Sequence, residues 1–437
     1  MGRFRPLTTV PARHPRPRVV TSCHHCGVRA SSADVLHRSN GVPPPAPAPR
    51  PSDHPTPFLE IPPSWPIPGR PPAPPWPLAA ASLFSPAAWS QLQVGQTAGF
   101  TGPVSSGVQE TTEGAKLYLD AVNARGGVNG QKIELISLDD KFDPALAQAN
   151  ARKLIEEQNV LAMFLTRGTP HTEAIIPLLD KFDVPLVAPS TGAMVLHRPV
   201  RRHVFNVRAP YQREAEKAIT HLASMGISRI AVVLTDDSFG SDGLAGALKG
   251  FEAAKLKPVL EERFDRAKPD FSAIAPKLAQ TQAQAVLMIA SGTAAVEGYA
   301  AFRAAGSGAQ LVTLSNNASS GFARSLGANA RGVIVTQVFP NERATNYPLV
   351  REAHDLAKAH GKEVSPAMLE GIAAAKVLVE GLRRAGAKPT RERLQAALEG
   401  IQKFDIGGLE VNFSPEDHTG LDFADLSIIG TDGKFRR

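Results

Sequence analysis

Leu92-Gln93-Val94-Gly95-Gln96-Thr97, Gly99-Phe100-Thr101-Gly102-Pro103, and the residues from there to Leu165 decide the fold. The first run is short and apolar, and a glycine-rich turn follows it. A polar stretch runs to Gly107, after which Ala115, Leu117, Tyr118, Ala121 and Val122 fall on one face at helical spacing. Arg125-Gly126-Gly127 supplies a glycine stop. Ile133 to Leu138 reads as a returning strand, and Asp139 to Pro144 turns the chain into a helix over Ala145–Gln158. Val160–Leu165 is the third strand. Strand–helix–strand–helix–strand is the repeating unit of a parallel sheet, because parallel neighbours need a long crossover between them.

The same residues carry a resemblance. Gly99-Phe100-Thr101-Gly102-Pro103, Glu113-Gly114-Ala115, Asn123-Ala124-Arg125-Gly126-Gly127-Val128-Asn129-Gly130, Asp139-Asp140 and Asp143-Pro144 stand in an order that resembles the opening of type I periplasmic binding proteins. More narrowly it resembles the leucine/isoleucine/valine-binding branch that feeds ABC importers. The likeness runs from about Leu92 to the C-terminus. It implies two doubly wound α/β lobes joined by a three-strand hinge that closes on ligand.

The 437 residues suffice for two ordinary domains, and 43% hydrophobic with 20% charged residues suits a soluble globular chain. The net charge of +7 is uneven: residues 1–77 hold nine Arg, no Lys and three acids, a net of +6, and the remainder is close to neutral. A basic domain built for nucleic acid is therefore not implied, and no nucleic-acid partner is expected. Residues 1–90 hold 22 of the 38 prolines and all three tryptophans, without apolar periodicity. Proline at this density opposes both helix and sheet, so disorder or polyproline structure is expected. Two readings of residues 1–77 stand open: a proline-rich linker, or a non-native extension from a wrong upstream reading frame.

Cys23-His24-His25-Cys26 places two thiols at metal-binding spacing, but no second pair completes a closed site, and no metal is expected. Val20-Thr21-Ser22-Cys23 lacks the apolar run that lipid attachment requires. Leu78 to Ala88 reads as the apolar core of a secretion signal, with Ala88-Trp89-Ser90 as a small-x-small cleavage site. Residues 78–91 are thus taken as a signal-peptide remnant whose start has been replaced, and a periplasmic location is expected. The run is too short to span a membrane.

Beyond Leu165 the alternation continues to the C-terminus, with strands at Val184–Ala188, His203–Arg208, Arg229–Leu234, Pro258–Phe264, Ala285–Ile289, Gln310–Leu314 and Gly332–Val338. Helices are expected over Thr172–Phe182, Glu214–Met225, Asp242–Ala254, Phe271–Gln280, Ala294–Ala305, Tyr347–His360, Pro366–Ala385 and Thr390–Gly400. Gly408–Phe413 and Leu426–Ile429 read as antiparallel strands. So many strands need two sheets. The breaks fall near Arg208–Tyr211 and Phe339–Pro340, and the resemblance implies a third crossing near Asn412–Pro415. Lobe 1 is then residues 92–209 with 340–412, and lobe 2 is 210–339 with 413–437.

Ligands of open parallel sheets sit beyond the carboxyl ends of strands. Those ends read Thr166-Arg167-Gly168-Thr169, Pro189-Ser190-Thr191-Gly192-Ala193, Thr235 to Gly240, Ser291-Gly292-Thr293 and Ser315-Asn316-Asn317. Hydroxyls, amides and free helix N-terminal amides form anion sites. Any one such loop taken alone reads first as an N-cap; five converging on one cleft shift the balance toward a ligand. By resemblance, Ser190, Thr191 and Gly192 hold a ligand carboxylate, Gly168 and Thr169 lie beside them, and Phe239 stands where the family places an aromatic over the ligand. Tyr211 lies at the lobe crossing. Arg167 suits a carboxylate bidentately, or it is simply solvated.

Amino-acid binders of this family place carboxylates around the ligand ammonium, whereas the matching places here, Tyr211, Ser291 and Asn316-Asn317, carry no charge. A buried ammonium without a partner is costly, so a small carboxylate, aromatic acid or amide fits at least as well as a branched-chain amino acid. No phosphate-binding glycine loop, dinucleotide fingerprint or nucleophile elbow occurs, so neither catalysis nor a cofactor is expected. The expected role is capture of a small solute and delivery to the membrane permease of an ABC importer. A sensor domain of the same fold is the alternative, ahead of an α/β enzyme.

Overall fold

The computed structural model describes residues 91–437. The expectations for residues 1–90, including the Pro-rich extension, Cys23 and Cys26, and the signal-like Leu78–Ala88 run, lie outside the described residues.

The chain begins with β1 (Leu92–Ala98), α1 (Ser105–Ala124), β2 (Ile133–Asp139), α2 (Pro144–Arg152), β3 (Ala162–Phe164), α3 (Thr169–Phe182), β4 (Leu186–Val187) and β5 (Val204–Phe205). These strands form a parallel sheet in the order β2-β1-β3-β4-β5. β1 is an interior strand and almost wholly buried, and its buried polar side chains are satisfied: Gln96 Nε2 donates to Thr112 Oγ1 and the Leu165 carbonyl, and Thr97 Oγ1 donates to Asp140. α2 continues as a π-helical stretch over Lys153–Glu157.

The chain then leaves this sheet. It builds α4 (Tyr211–Ser224), β6 (Ile230–Thr235), α5 (Ser238–Ala253), β7 (Leu260–Phe264), α6 (Ile274–Gln280), β8 (Ala285–Ile289), α7 (Thr293–Ala304), β9 (Gln310–Thr313), α8 (Ser320–Ser325) and β10 (Ile334–Gln337). After β10 it returns with α9 (Pro348–Ala359), α10 (Pro366–Ala385), α11 (Arg391–Glu399) and the small hairpin β11 (Phe404–Asp405) and β12 (Glu410–Val411). It ends in β13 (Asp425–Ile429) and β14 (Phe435–Arg436). The second sheet runs β14-β13-β10-β9-β8-β6-β7, with β13 and β14 antiparallel to the rest.

Val338, Phe339, α9, α10, Val411, Phe413 and Leu421 share the core of the first sheet. The third crossing therefore falls between Leu421 and Asp425 rather than near Asn412–Pro415. Phe413 packs edge-on against Phe205, centroids 5.4 Å apart, and this apolar anchor keeps the segment on the first sheet. α10 is apolar on nearly every side and buried accordingly. It crosses α1 at backbone contact: a Cβ on Gly371 would lie 1.9 Å from the Thr111 carbonyl oxygen, and one on Gly114 would lie 2.1 Å from that of Met368.

Four helices start earlier than their apolar periodicity indicates. α1 opens at Ser105, α3 at Thr169, α4 at Tyr211 and α5 at Ser238. Their first turns carry hydroxyls, glycine and carboxylates, so they leave no apolar stripe to read. All four first turns lie at strand ends.

Candidate functional site

Each sheet has a switch point, where successive crossovers depart to opposite sides: β1 lies between β2 and β3, and β6 between β7 and β8. Ligands of such sheets bind beyond the carboxyl ends at that point. In the first sheet, Leu165 and Ala188 end β3 and β4 with φ of 52° and 53°. The left-handed region costs a non-glycine residue about 1–3 kcal/mol, an expense typical of functional loops. The two turns peel away in register: Ser190 N–H donates to the Thr166 carbonyl at 2.7 Å, and Arg167 and Ser190 form an isolated parallel bridge.

The hydroxyls of Thr169 and Thr191 lie 2.7 Å apart, and those of Thr166 and Thr172 lie 3.1 Å apart. Gly192 serves the crossing strand. Its carbonyl accepts from Tyr211 N–H at 2.7 Å, and a Cβ there would meet the Ala209 oxygen at 2.7 Å. Gly168 has φ 92°, and a side chain on it would strike the His171 ring.

On the facing sheet, Asp237 caps α5 by accepting from Gly240 N–H at 3.0 Å and also pairs with Arg266 at 2.5 Å. Phe239 is buried against Tyr211, edge to face, with centroids 4.9 Å apart. The Arg208 guanidinium lies 4.5 Å from the Tyr211 ring centre, on its face. Asn316 Nδ2 donates to Ser291 Oγ at 3.0 Å and to the Ala290 carbonyl at 3.1 Å, which ties the ends of β8 and β9 together. Its Oδ1 is buried without a hydrogen-bond partner.

The two sets of loops meet. Arg167 donates to Ser190 Oγ at 3.0 Å and, across the cleft, to the Asn316 carbonyl at 2.5 Å. Thr293 N–H donates to the Pro103 carbonyl at 3.0 Å. Glu110 accepts from Ser320 and Gly321 N–H at 2.9 and 2.7 Å, and Ser238 donates to Glu173 at 2.5 Å. Arg266 lies 5.2 Å from the centre of the Phe142 ring, which itself stacks on His171. All ten candidate residues thus gather at the two facing rims: Thr166, Gly168, Thr169, Ser190, Thr191 and Gly192 on one, and Phe239, Ser291 and Asn316 on the other, with Tyr211 at the crossing.

A small cavity of about 10 Å³ remains beside α1, lined by Gln96, Thr111, Thr112, Arg167 and Ser190 together with apolar side chains. A larger hollow of about 680 Å³ opens between Gln91–Gln93 and Lys388–Glu392, at the amino end of β1, which is the wrong end of a parallel sheet for a ligand.

Two arginines are buried among the described residues, Arg208 at 1% exposure and Arg167 at 5%. Arg208 pairs with Glu214 and donates to Ser315 Oγ at 2.6 Å, and Glu370 lies 3.9 Å from it. Burial alone lowers its pKa, but the Glu214 charge, with Tyr211 and Glu370, outweighs that and raises it. Glu214 is saturated, since it also accepts from Ser315 N–H at 2.9 Å and from the Thr336 hydroxyl. Arg167 differs: its partners are a hydroxyl and a carbonyl, and no described carboxylate lies within ion-pair distance. Burial pulls its pKa down, Tyr211 and Glu370 pull it back up, and Arg208 and Arg266 lower it further. The solvated reading of Arg167 is thereby excluded.

Sequence reasoning missed Gln96, Thr111, Thr112, Arg208, Glu214 and Glu370. One signal was readable: Glu370 is a lone acid in the apolar run Ala367 to Ala375 of α10. Among the described residues, no group of three or more His, Cys, Asp or Glu is placed to hold a metal ion.

The family described as periplasmic binding protein matches residues 91–424. The chain is 26% identical over 329 residues to a Leu/Ile/Val-binding protein homolog 3 of Brucella melitensis, covering 73% of this chain and 86% of that one. It is 26% identical over 336 residues to the Leu/Ile/Val-binding protein BraC3 of Rhizobium johnstonii, covering 74% and 87%. Among solved structures, a substrate-binding periplasmic protein from Ralstonia solanacearum aligns with TM-score 0.73 at 30% identity, over 79% of this chain and 99% of that one. A possible leucine/isoleucine/valine-binding protein from Rhodopirellula baltica aligns with TM-score 0.76 at 28% identity, over 81% and 97%.

Proposed function

Because the chain belongs to the periplasmic binding protein family, we propose that it captures a small carboxylate-bearing solute between its two lobes, outside the cytoplasm, and hands it to the permease of an ABC importer. Its relatives are named as binding proteins, and the chain is a solute-binding protein, not an enzyme. The observation that carries the ligand class is Arg167. A buried guanidinium without a counter-ion is costly, and this one sits in the cleft against Ser190, inside the loop expected to hold a carboxylate. A ligand carboxylate supplies the missing charge, and the neighbouring hydroxyls fix its orientation.

The test is a thermal-shift screen of amino acids, aromatic acids, dicarboxylates and neutral amides, followed by calorimetry. A ligand at a hundredfold excess over its Kd stabilises the fold by about 2.7 kcal/mol. Carboxylates are expected to raise Tm where neutral amides do not, and Arg167→Met is expected to weaken their binding about thirtyfold or more. Neutral solutes binding equally well to wild type and Arg167→Met would remove the carboxylate reading. Loss of uptake of the identified ligand on deleting the gene tests the delivery step.

A further inference from the structure

We propose that Arg208 and Glu370 form a second polar subsite in the cleft, one that takes a hydroxyl or carboxamide on the ligand. This rests on the carboxylate reading of Arg167. Arg208 Nη1 and Glu370 Oε1 are each buried without a hydrogen-bond partner, on side chains that are themselves almost wholly buried. They face one another at 3.9 Å, beyond hydrogen-bond range. Buried polar atoms are rarely left unpaired, and charged ones least of all.

Both groups lie close enough to Arg167 to act on it electrostatically, although neither lines its cavity. Gly371, next to Glu370, packs on the Thr111 backbone, and Thr111 lines that cavity. Arg208 holds Ser315, whose neighbour Asn316 gives its carbonyl to Arg167. The spacing selects the chemistry. One oxygen about 2.8 Å from each atom sees them roughly 90° apart, an angle a hydroxyl meets by accepting from Arg208 and donating to Glu370. A carboxamide does the same with two atoms. An ammonium donates to Glu370 but is repelled by Arg208, and a methyl group leaves both unpaired. The site therefore sorts carboxylates by their second functional group, against plain acids and against amino acids.

The experiment measures affinities of the full chain, by calorimetry or ligand-detected NMR, for two matched probe sets. One set is butyrate, α-hydroxybutyrate, γ-hydroxybutyrate, succinamate and α-aminobutyrate. The other is phenylacetate, mandelate, para-hydroxyphenylacetate and phenylglycine. In at least one set a hydroxyl or amide probe is expected to bind about tenfold or more tightly than its plain and amino counterparts. In Glu370→Leu that ratio should fall to about twofold or less. If that variant does not fold, Glu370→Gln, which keeps the size and loses the charge, should still reduce the ratio. Equal affinities across each set, a preference for the ammonium probes, or a ratio unchanged in the Glu370 variant would overturn the subsite and leave the carboxylate reading standing. Binding of no carboxylate at all would overturn that reading, and the subsite with it.

Discussion

Gly292→Ala should hold the two lobes apart. Gly292 precedes α7 with φ 54°, and a Cβ built on it would lie 1.8 Å from the Pro103 carbonyl oxygen of the facing lobe. Real Cβ contacts do not fall below 3.0 Å, so the rims must separate by at least 1.2 Å at this point. The adjacent Thr293 N–H to Pro103 bond, 3.0 Å long, is then lost, a change worth about 1 kcal/mol. The Arg167 bond to the Asn316 carbonyl spans the same cleft, and stretching a charge-assisted bond costs about 1.5–3 kcal/mol if it breaks. Together these destabilise the closed arrangement by about 2.5–4 kcal/mol, or roughly sixty- to seven-hundredfold in ligand affinity. The strain of alanine at positive φ, about 1–3 kcal/mol, is present with the lobes open or closed. It therefore lowers Tm of the protein alone without entering the binding comparison. Calorimetry of wild type and Gly292→Ala with the best carboxylate from the screen measures the first effect, and thermal unfolding without ligand measures the second. Affinity within about threefold of wild type would show that ligand binding does not require this contact, and the reasoning would fail.

Ser190→Ala removes the hydroxyl that takes Arg167 Nη1, and Thr191→Ala removes the partner of the Thr169 hydroxyl. Each should weaken ligand binding about fivefold while circular dichroism stays unchanged, and unaltered affinity in both would remove this loop from the site. Phe239→Ala should weaken apolar ligands, and because Phe239 is 3% exposed within the second core, it should also cost about 3–5 kcal/mol of stability. An unchanged Tm would contradict that placement. Asp242 accepts from Met194 N–H and Gln212, and burial pushes its pKa up to about 6. The folded state keeps a proton that the unfolded state releases from its ordinary value of 3.8, so the stability contribution is full below 3.8 and is lost as pH rises through about 6. Asp242→Asn should therefore raise stability at pH about 8, on the order of 1–3 kcal/mol, and give no gain near pH about 3.5. A lower Tm at the higher pH would count against it.

The alternation of apolar strands with amphipathic helices, read from residues 92 onward, determined the architecture. It did so because periodicity records which face of each element is buried, and that is local information. It failed where burial and periodicity part company. The first turns of α1, α3, α4 and α5 face the cleft, so Ser105, Thr169, Tyr211 and Ser238 looked like loop residues. The strand-end loops were legible as candidates from composition alone, yet composition did not separate Gly192, which accommodates the crossing strand, from Ser190, which holds Arg167. The charge pattern of the cleft belongs to tertiary structure. Arg208, Glu214, Ser315 and Glu370 are brought together from both lobes and the crossing between them, and Arg167 is left without a carboxylate partner because folding carries the available ones elsewhere. The pairing of a buried charge depends on three-dimensional distance and desolvation, and no spacing along the chain encodes either.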